Sequence, residues 1–286
     1  KNTILRSGLG SYAKYGPENP FTDRLNSQEL KAMDTNLLVQ KIKELGNLNH
    51  RIFYYGQMPA KEAQAIIAKY HTNTIGLNPT PNKKDFEELV YAKNKVFYAP
   101  YDMQQVEIFF IAKDEIFNPD LLAAGNLFNE YFGAGLSSII FQEIREKKAL
   151  AYSAYSYFST PAEKEKSHYV NAYIGTQSDK LEDAAGAMFE LMNDMPEAQM
   201  QFEASKEAVI KKLESDWTTG SSVYWSYERA QNLGVNYDMN EKVYQQIQNI
   251  TLDDLKMFFN EHIMGKQYSI CVIGDKTKMD MKVLGK

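Results

Sequence analysis

The stretch that most limits how this chain can fold is residues 127–160, LFNEYFGAGLSSIIFQEIREKKALAYSAYSYFST. Its apolar positions change period partway along. Leu136, Ile139, Ile140 and Ile144 fall on one face of a helix, while Gln142, Glu143, Arg145 and Glu146 fall elsewhere around it. From Tyr152 the period becomes two. Tyr155 and Tyr157 then point one way and Ala154, Ser156 and Phe158 the other, as in a strand. An earlier helix ends in Tyr131-Phe132, and Gly133-Ala134-Gly135 supplies the left-handed backbone that a helix stop requires. Ser137 or Ser138 can cap the helix that follows. The stretch predicts helix, glycine turn, helix, charged corner and strand.

The rest of the chain extends this mixture. Residues 1–26, rich in Gly, Pro and Asn, read as an irregular lead-in. Ser27 can cap a short helix over residues 28–33. Asp34, Thr35 or Asn36 can cap the next, with Leu37, Leu38, Ile42 and Leu45 at core spacing and Gly46 as its stop. Residues 51–55 read as a strand closed by Gly56, and residues 60–70 as a helix. Residues 71–93 lose all period, and 78–84 read as an exposed linker. Strands are predicted over residues 95–99, 105–113 and 168–175, the last forming a hairpin with the Tyr-rich strand. Helices are predicted over residues 179–193, 201–216, 221–233, 240–248 and 252–262, and a final strand over 268–273. Asn118 with Pro119 marks one helix start, and Thr251 with Asp254 resembles a capping box. An internal echo links residues 33–56 with 250–274, each running from capped helix through polar loop to apolar strand and Gly.

Several chemistries find no footing here. The net charge is −5 with no long basic run, so neither nucleic acid nor an anionic membrane surface is indicated as a partner. No run of eighteen apolar residues is present to span a membrane. Cys271 is the only cysteine, which excludes an intrachain disulfide and a thiolate metal site. Its apolar neighbours place it in a buried strand. Catalytic zinc needs three protein ligands and an open position for water. The four histidines, His50, His71, His168 and His262, include no two within twenty residues of each other. Neither H-x-x-E-H nor H-E-x-x-H can be written, and Phe258 stands where Glu261-His262 would need a first His. G-x-S-x-G, the phosphate loop and G-x-G-x-x-G are absent as well.

One string carries a resemblance. Residues 135–153, G-L-S-S-x-x-F-Q-E-I-R-E-K-x-x-L-A-Y-S, closely resemble the second-type domain of the pitrilysin/insulinase family of inverted zinc metalloendopeptidases. Ile139 stands where many relatives have Arg, and Ala149 where many have Gly. The resemblance implies an α+β domain with an antiparallel-rich sheet and helices packed mainly on one side. It implies the non-zinc, C-terminal portion of an enzyme that cleaves peptides inside a two-half chamber. Zinc is then expected in the partner half, which is the N-terminal half of the same polypeptide or a partner subunit. No cofactor is expected in this chain, which would be inactive alone.

By residue type, Arg145 belongs to a solvated helix face and Tyr152 to strand packing. The resemblance assigns both to peptide substrate at the scissile bond, acting in trans, and both are hydrogen-bond donors suited to a developing oxyanion. It sets Gly133, Gly135 and Ser137 beside the groove. It divides the chain into residues 1–72, the tail of a preceding domain of helix–strand–helix form, a linker over 73–93, and a nearly complete domain over 94–286. The other reading is a non-catalytic structural or peptide-binding module like the inactive subunits of processing peptidases. A soluble protein is expected. Its compartment is not legible, with the bacterial periplasm or cell envelope the setting entertained.

Overall fold

The structure is a computed structural model that describes residues 1–71, 76–216, 220–280 and 282–283. It has the expected α+β architecture. Five strands form one mixed sheet: β1 (Lys95–Pro100), β2 (Gln105–Ile116), β3 (Ser153–Ser159), β4 (Ser167–Gln177) and β5 (Ser269–Gly274). Their spatial order is β1-β5-β2-β4-β3. Only β1 and β5 run parallel; the other three pairings are antiparallel. β2 lies in the middle. Alternation along it sends Val106, Ile108, Phe110 and Ala112 to one face and Phe109 and Ile111 to the other, all buried. Both faces therefore need cover.

The larger core lies under helices from the second half of the chain. α5 (Leu121–Phe128) continues into a wider π-type turn, Asn129–Gly133. With it pack α6 (Leu181–Asn193), α7 (Gln199–Ser215), α9 (Met239–Ile247) and α10 (Leu252–His262). α8 (Ser222–Asn232) is more exposed and has no buried residue. The Thr251 and Asp254 box forms as expected: the Thr251 N–H donates to Asp254 Oδ2 at 2.8 Å, and the Asp254 N–H donates to Thr251 Oγ1 at 3.2 Å. Leu255, Phe258 and Phe259 are buried on the inner face of α10.

The opposite face shows the first correction. Residues 1–26 are no irregular lead-in, because a π-type segment, Thr3–Leu9, runs directly into α1 (Gly10–Tyr15). This helix lies across the second sheet face and buries Leu5 and Ala13 against Phe109, Ile111, Cys271 and Ile273. Gly10 faces the sheet, where a Cβ would lie at ordinary contact distance, 3.5 Å from Ile111 Cδ1 and 3.6 Å from Phe109 Cε1. Cations complete the seat: the Arg6 guanidinium lies 4.8 Å from the Phe109 ring, and Lys14 Nζ lies 3.9 Å from the Tyr169 ring. Gly16, at φ 82°, ends the helix.

α2 (Ser27–Ala32), α3 (Thr35–Glu44) and α4 (Ala60–Tyr70) form near their expected bounds. The cap of α2 is Asn26, not Ser27; its carboxamide oxygen accepts from the Gln28 and Glu29 N–H groups. The strand expected over residues 51–55 does not form. The echo of 36–56 with 251–274 therefore fails as a structural repeat. Among the described residues no strand lies beside residues 51–55, whereas β5 is bonded on both sides. Phe53 stacks instead on Tyr224 at 5.1 Å, and Arg51 pairs with Glu228. Residues 78–84 are exposed, with Asn78 bonded through its backbone to Asn47 and Asn49; residues 72–75 of the unpatterned stretch lie outside the described residues.

Candidate functional site

The resemblance string begins at the buried end of α5. Gly133 is buried, and a Cβ there would fall 2.0 Å from the Ser156 backbone oxygen. Its glycine is required by close passage of helix past strand, and it is shut off from any groove. Gly135, at φ 94°, and Ser137 are exposed on the turn that follows. Ser138 makes the cap: its hydroxyl donates to Gly135 O at 2.9 Å and accepts from the Phe141 N–H at 3.4 Å. Leu136 is 74% exposed and does not share the buried face of Ile139, Ile140 and Ile144. The turn is still unwinding at Leu136, so helical spacing does not reach it.

A π-type segment, Phe141–Lys147, carries Arg145. Its wider turn is of a kind often met at functional positions. The chain then reverses at Ala149, the one non-glycine residue among those described with positive φ, at 49°. For an L-residue this costs energy, so the turn must be held from outside. Three bonds hold it. Lys180 Nζ donates to Ala149 O at 3.0 Å, Thr176 Oγ1 donates to Leu150 O at 2.5 Å, and the Leu150 N–H donates to Ile144 O at 2.9 Å. Tyr152 then joins the sheet, its N–H donating to Gly175 O at 2.9 Å, one residue ahead of β3.

This corner brings Arg145 and Tyr152 onto one open hollow of about 250 Å³. Glu146, Ala149, Leu150, Ala151, Gln177 and Lys180 complete its lining. Tyr152 is 56% exposed and Arg145 has a side chain 46% exposed. The Arg145 guanidinium lies 4.8 Å from the Phe141 ring, with Glu146 Oε1 at 3.7 Å. The Tyr152 hydroxyl accepts from Gln177 Nε2 at 2.7 Å, which leaves its own proton to donate outward. Tyr152 and Gln177 also border a second hollow of about 470 Å³, reaching Gln105 and Lys278. Beside them runs β3, the sheet edge, whose outer backbone groups have no strand neighbour among the described residues. Gly135 and Ser137 line neither hollow. A larger cavity, about 700 Å³, lies between α8 and the turn before α9 and includes none of the string's residues.

The buried titratable groups lie elsewhere. Burial pushes the Cys271 thiol up to about 12, which suits an inert core residue. His168 is fully buried; its Nδ1 donates to Ser159 O and its Nε2 accepts from the Asn118 N–H, each at 3.1 Å, and burial lowers its pKa. His262 Nδ1 donates to Asp114 Oδ2 at 2.8 Å, and Lys266 pairs with the same carboxylate. Among the described residues, no group of three or more His, Cys, Asp or Glu side chains is arranged to hold a metal ion. No helix among them is long and apolar enough to cross a membrane.

Fold and corner define a non-zinc α+β domain of the inverted zinc peptidase class. Residues 46–210 match the family described as the peptidase M16 inactive domain, and the chain belongs to that family. One relative, the non-peptidase homolog YmxG of Helicobacter pylori, is 24% identical over 215 residues, 71% of this chain and 48% of its own length. The chain thus spans about half the length of that relative. Solved structures share the fold, two of them as follows. A peptidase M16 inactive domain from Pseudomonas fluorescens is 16% identical with a TM-score of 0.69, the match covering 95% of this chain and 65% of that one. A protease from Helicobacter pylori is 16% identical with a TM-score of 0.68, covering 94% and 66%.

Proposed function

We propose that this chain forms the non-zinc side of a two-half peptidase chamber and touches the peptide through Arg145 and Tyr152. The observation that carries the reading is their convergence on one hollow, with the Tyr152 proton left free by Gln177. A zinc-bearing half would supply the attacking water. From this side a guanidinium and a phenol would donate to the scissile carbonyl or its neighbour as negative charge develops. The proposed division into residues 1–72, 73–93 and 94–286 belongs to this reading. It is supported by the exposure of Leu37, Leu38, Ile42, Leu45, Ile52 and Tyr55, side chains that a further layer of structure would cover.

The second reading is a non-catalytic peptide-binding or structural module, favoured by the relative named as a non-peptidase homolog. Reconstitution separates the two. Alone, the zinc-loaded chain is expected to cleave nothing. Combined with its zinc-bearing half, in one polypeptide or as a partner subunit, it is expected to cleave unfolded peptides in a chelator-sensitive way. Peptide binding without cleavage by the combined protein would establish the module instead.

A further inference from the structure

We propose that His50 and His71 form a two-histidine site for a late first-row divalent metal ion, Cu²⁺ foremost. The residues stand 21 positions apart, too far for any linear motif, yet the fold sets His50 Nε2 and His71 Nε2 2.8 Å from each other. The ring centroids are 4.8 Å apart and the planes cross at 73°, so the rings meet at their nitrogen edges and do not stack.

His50 has the outer contact of a ligand. His50 Nδ1 donates to Leu48 O at 2.6 Å, which fixes the tautomer and leaves the lone pair on Nε2. In the metal-free protein His71 Nε2–H donates to that lone pair. Moving the His71 proton from Nε2 to Nδ1 frees a lone pair on each facing nitrogen, with no net proton released, and a turn of the two rings aims both at one ion. The chain on either side is pinned. The Asn49 N–H donates to Asn78 O at 2.7 Å and the Asn78 N–H to Asn47 O at 2.7 Å, while the His71 N–H closes α4 on Ile67 O at 2.7 Å. His71 therefore sits at a helix C-terminus, where the aligned peptide dipoles favour a cation.

The donors set the metal order: for imidazole nitrogens the affinity of late first-row divalent ions rises from Ni²⁺ to Cu²⁺ and falls again at Zn²⁺. His50 is exposed and His71 half-buried, so water can fill the remaining positions. The other two histidines cannot compete: His168 has both nitrogens engaged and no exposure, and His262 is tied to Asp114.

The test titrates the full chain with Cu²⁺, Ni²⁺ and Zn²⁺, reading the visible absorption of Cu²⁺ and its electron paramagnetic resonance. The expected result is one Cu²⁺ per chain with coupling to two imidazole nitrogens, and affinity in the order Cu²⁺, Ni²⁺, Zn²⁺. His50→Gln, at an exposed position, and His71→Gln, at a half-buried one, each with circular dichroism to confirm an unchanged fold, should each weaken Cu²⁺ binding roughly tenfold or more. Binding unchanged in both variants, a spectrum with no imidazole coupling, or no Cu²⁺ uptake would overturn the site and leave the pair as a hydrogen bond.

Discussion

Residues 33–56 and 250–274 carry nearly the same sequence pattern and reach different ends. Leu38 and Leu255 hold the same place after their caps, yet Leu38 is 41% exposed and Leu255 fully buried. Ile52, Phe53, Tyr54 and Tyr55 are all exposed where Cys271, Val272 and Ile273 are buried. The difference lies outside both stretches. β5 is received between β1 and β2, which satisfy its backbone on both sides, and α10 closes over the core beneath. Residues 51–55 meet no strand among the described residues. An apolar run with strand character becomes a strand only when neighbours take up its N–H and C=O groups.

The comparison can be broken most sharply at two glycines. Gly133→Ala would drive a methyl group into the Ser156 backbone, and the expected loss of stability is about 3 kcal/mol or more. Gly46→Ala, with nothing within 4 Å, should change global stability by no more than about 0.5 kcal/mol. Denaturant unfolding of the two variants decides; equal effects would show that residues 33–56 pack as tightly as the sheet domain in which Gly133 lies, the domain that also holds residues 250–274. Next in size is the leucine pair. Leu255→Ala should cost about 2–5 kcal/mol, and Leu38→Ala about 0.5 kcal/mol or less. A large cost at Leu38 would mean that its face is covered in solution.

The smallest expected effect is a pH dependence confined to the sheet domain. Burial holds His168 below its ordinary 6.5, so the folded chain resists a proton that the unfolded chain accepts. Stability contributed by the neutral imidazole is present above that ordinary value and is lost as pH falls through and below it. The thermal midpoint should therefore drop between pH 7.5 and 5.5. His168→Gln, less stable throughout, should show a shallower drop. An equally steep drop in the variant would assign it to other groups.

The second half of the chain was largely legible. Period two in residues 152–158, the Thr251 and Asp254 box and the apolar run at Cys271 each reported a local geometry that tertiary contacts reinforced. The first half was less so. Its opening helix was hidden by Gly8, Gly10 and Gly16, residues that propensity counts against a helix and that the packing of Leu5 and Ala13 on the sheet overrides. For the candidate site, the sequence supplied Arg145 and Tyr152 but not the groups that set them. Gln177 and Lys180 come from the far side of β4, and only the strand pairing brings them to the corner. His50 and His71 were invisible as a pair for the same reason.

Replacing Tyr152 with Phe removes one oxygen from an exposed position and leaves the corner's backbone bonds in place. In the protein that joins this chain to a zinc-bearing half, the decisive measurement is kcat/KM for a peptide substrate in wild type and Tyr152→Phe. If the hydroxyl donates to the reacting carbonyl, the value falls roughly a hundred- to thousandfold, with the unfolding midpoint unchanged. Turnover within a factor of about two of wild type would contradict a role in the reaction and return Tyr152 to the surface of the sheet.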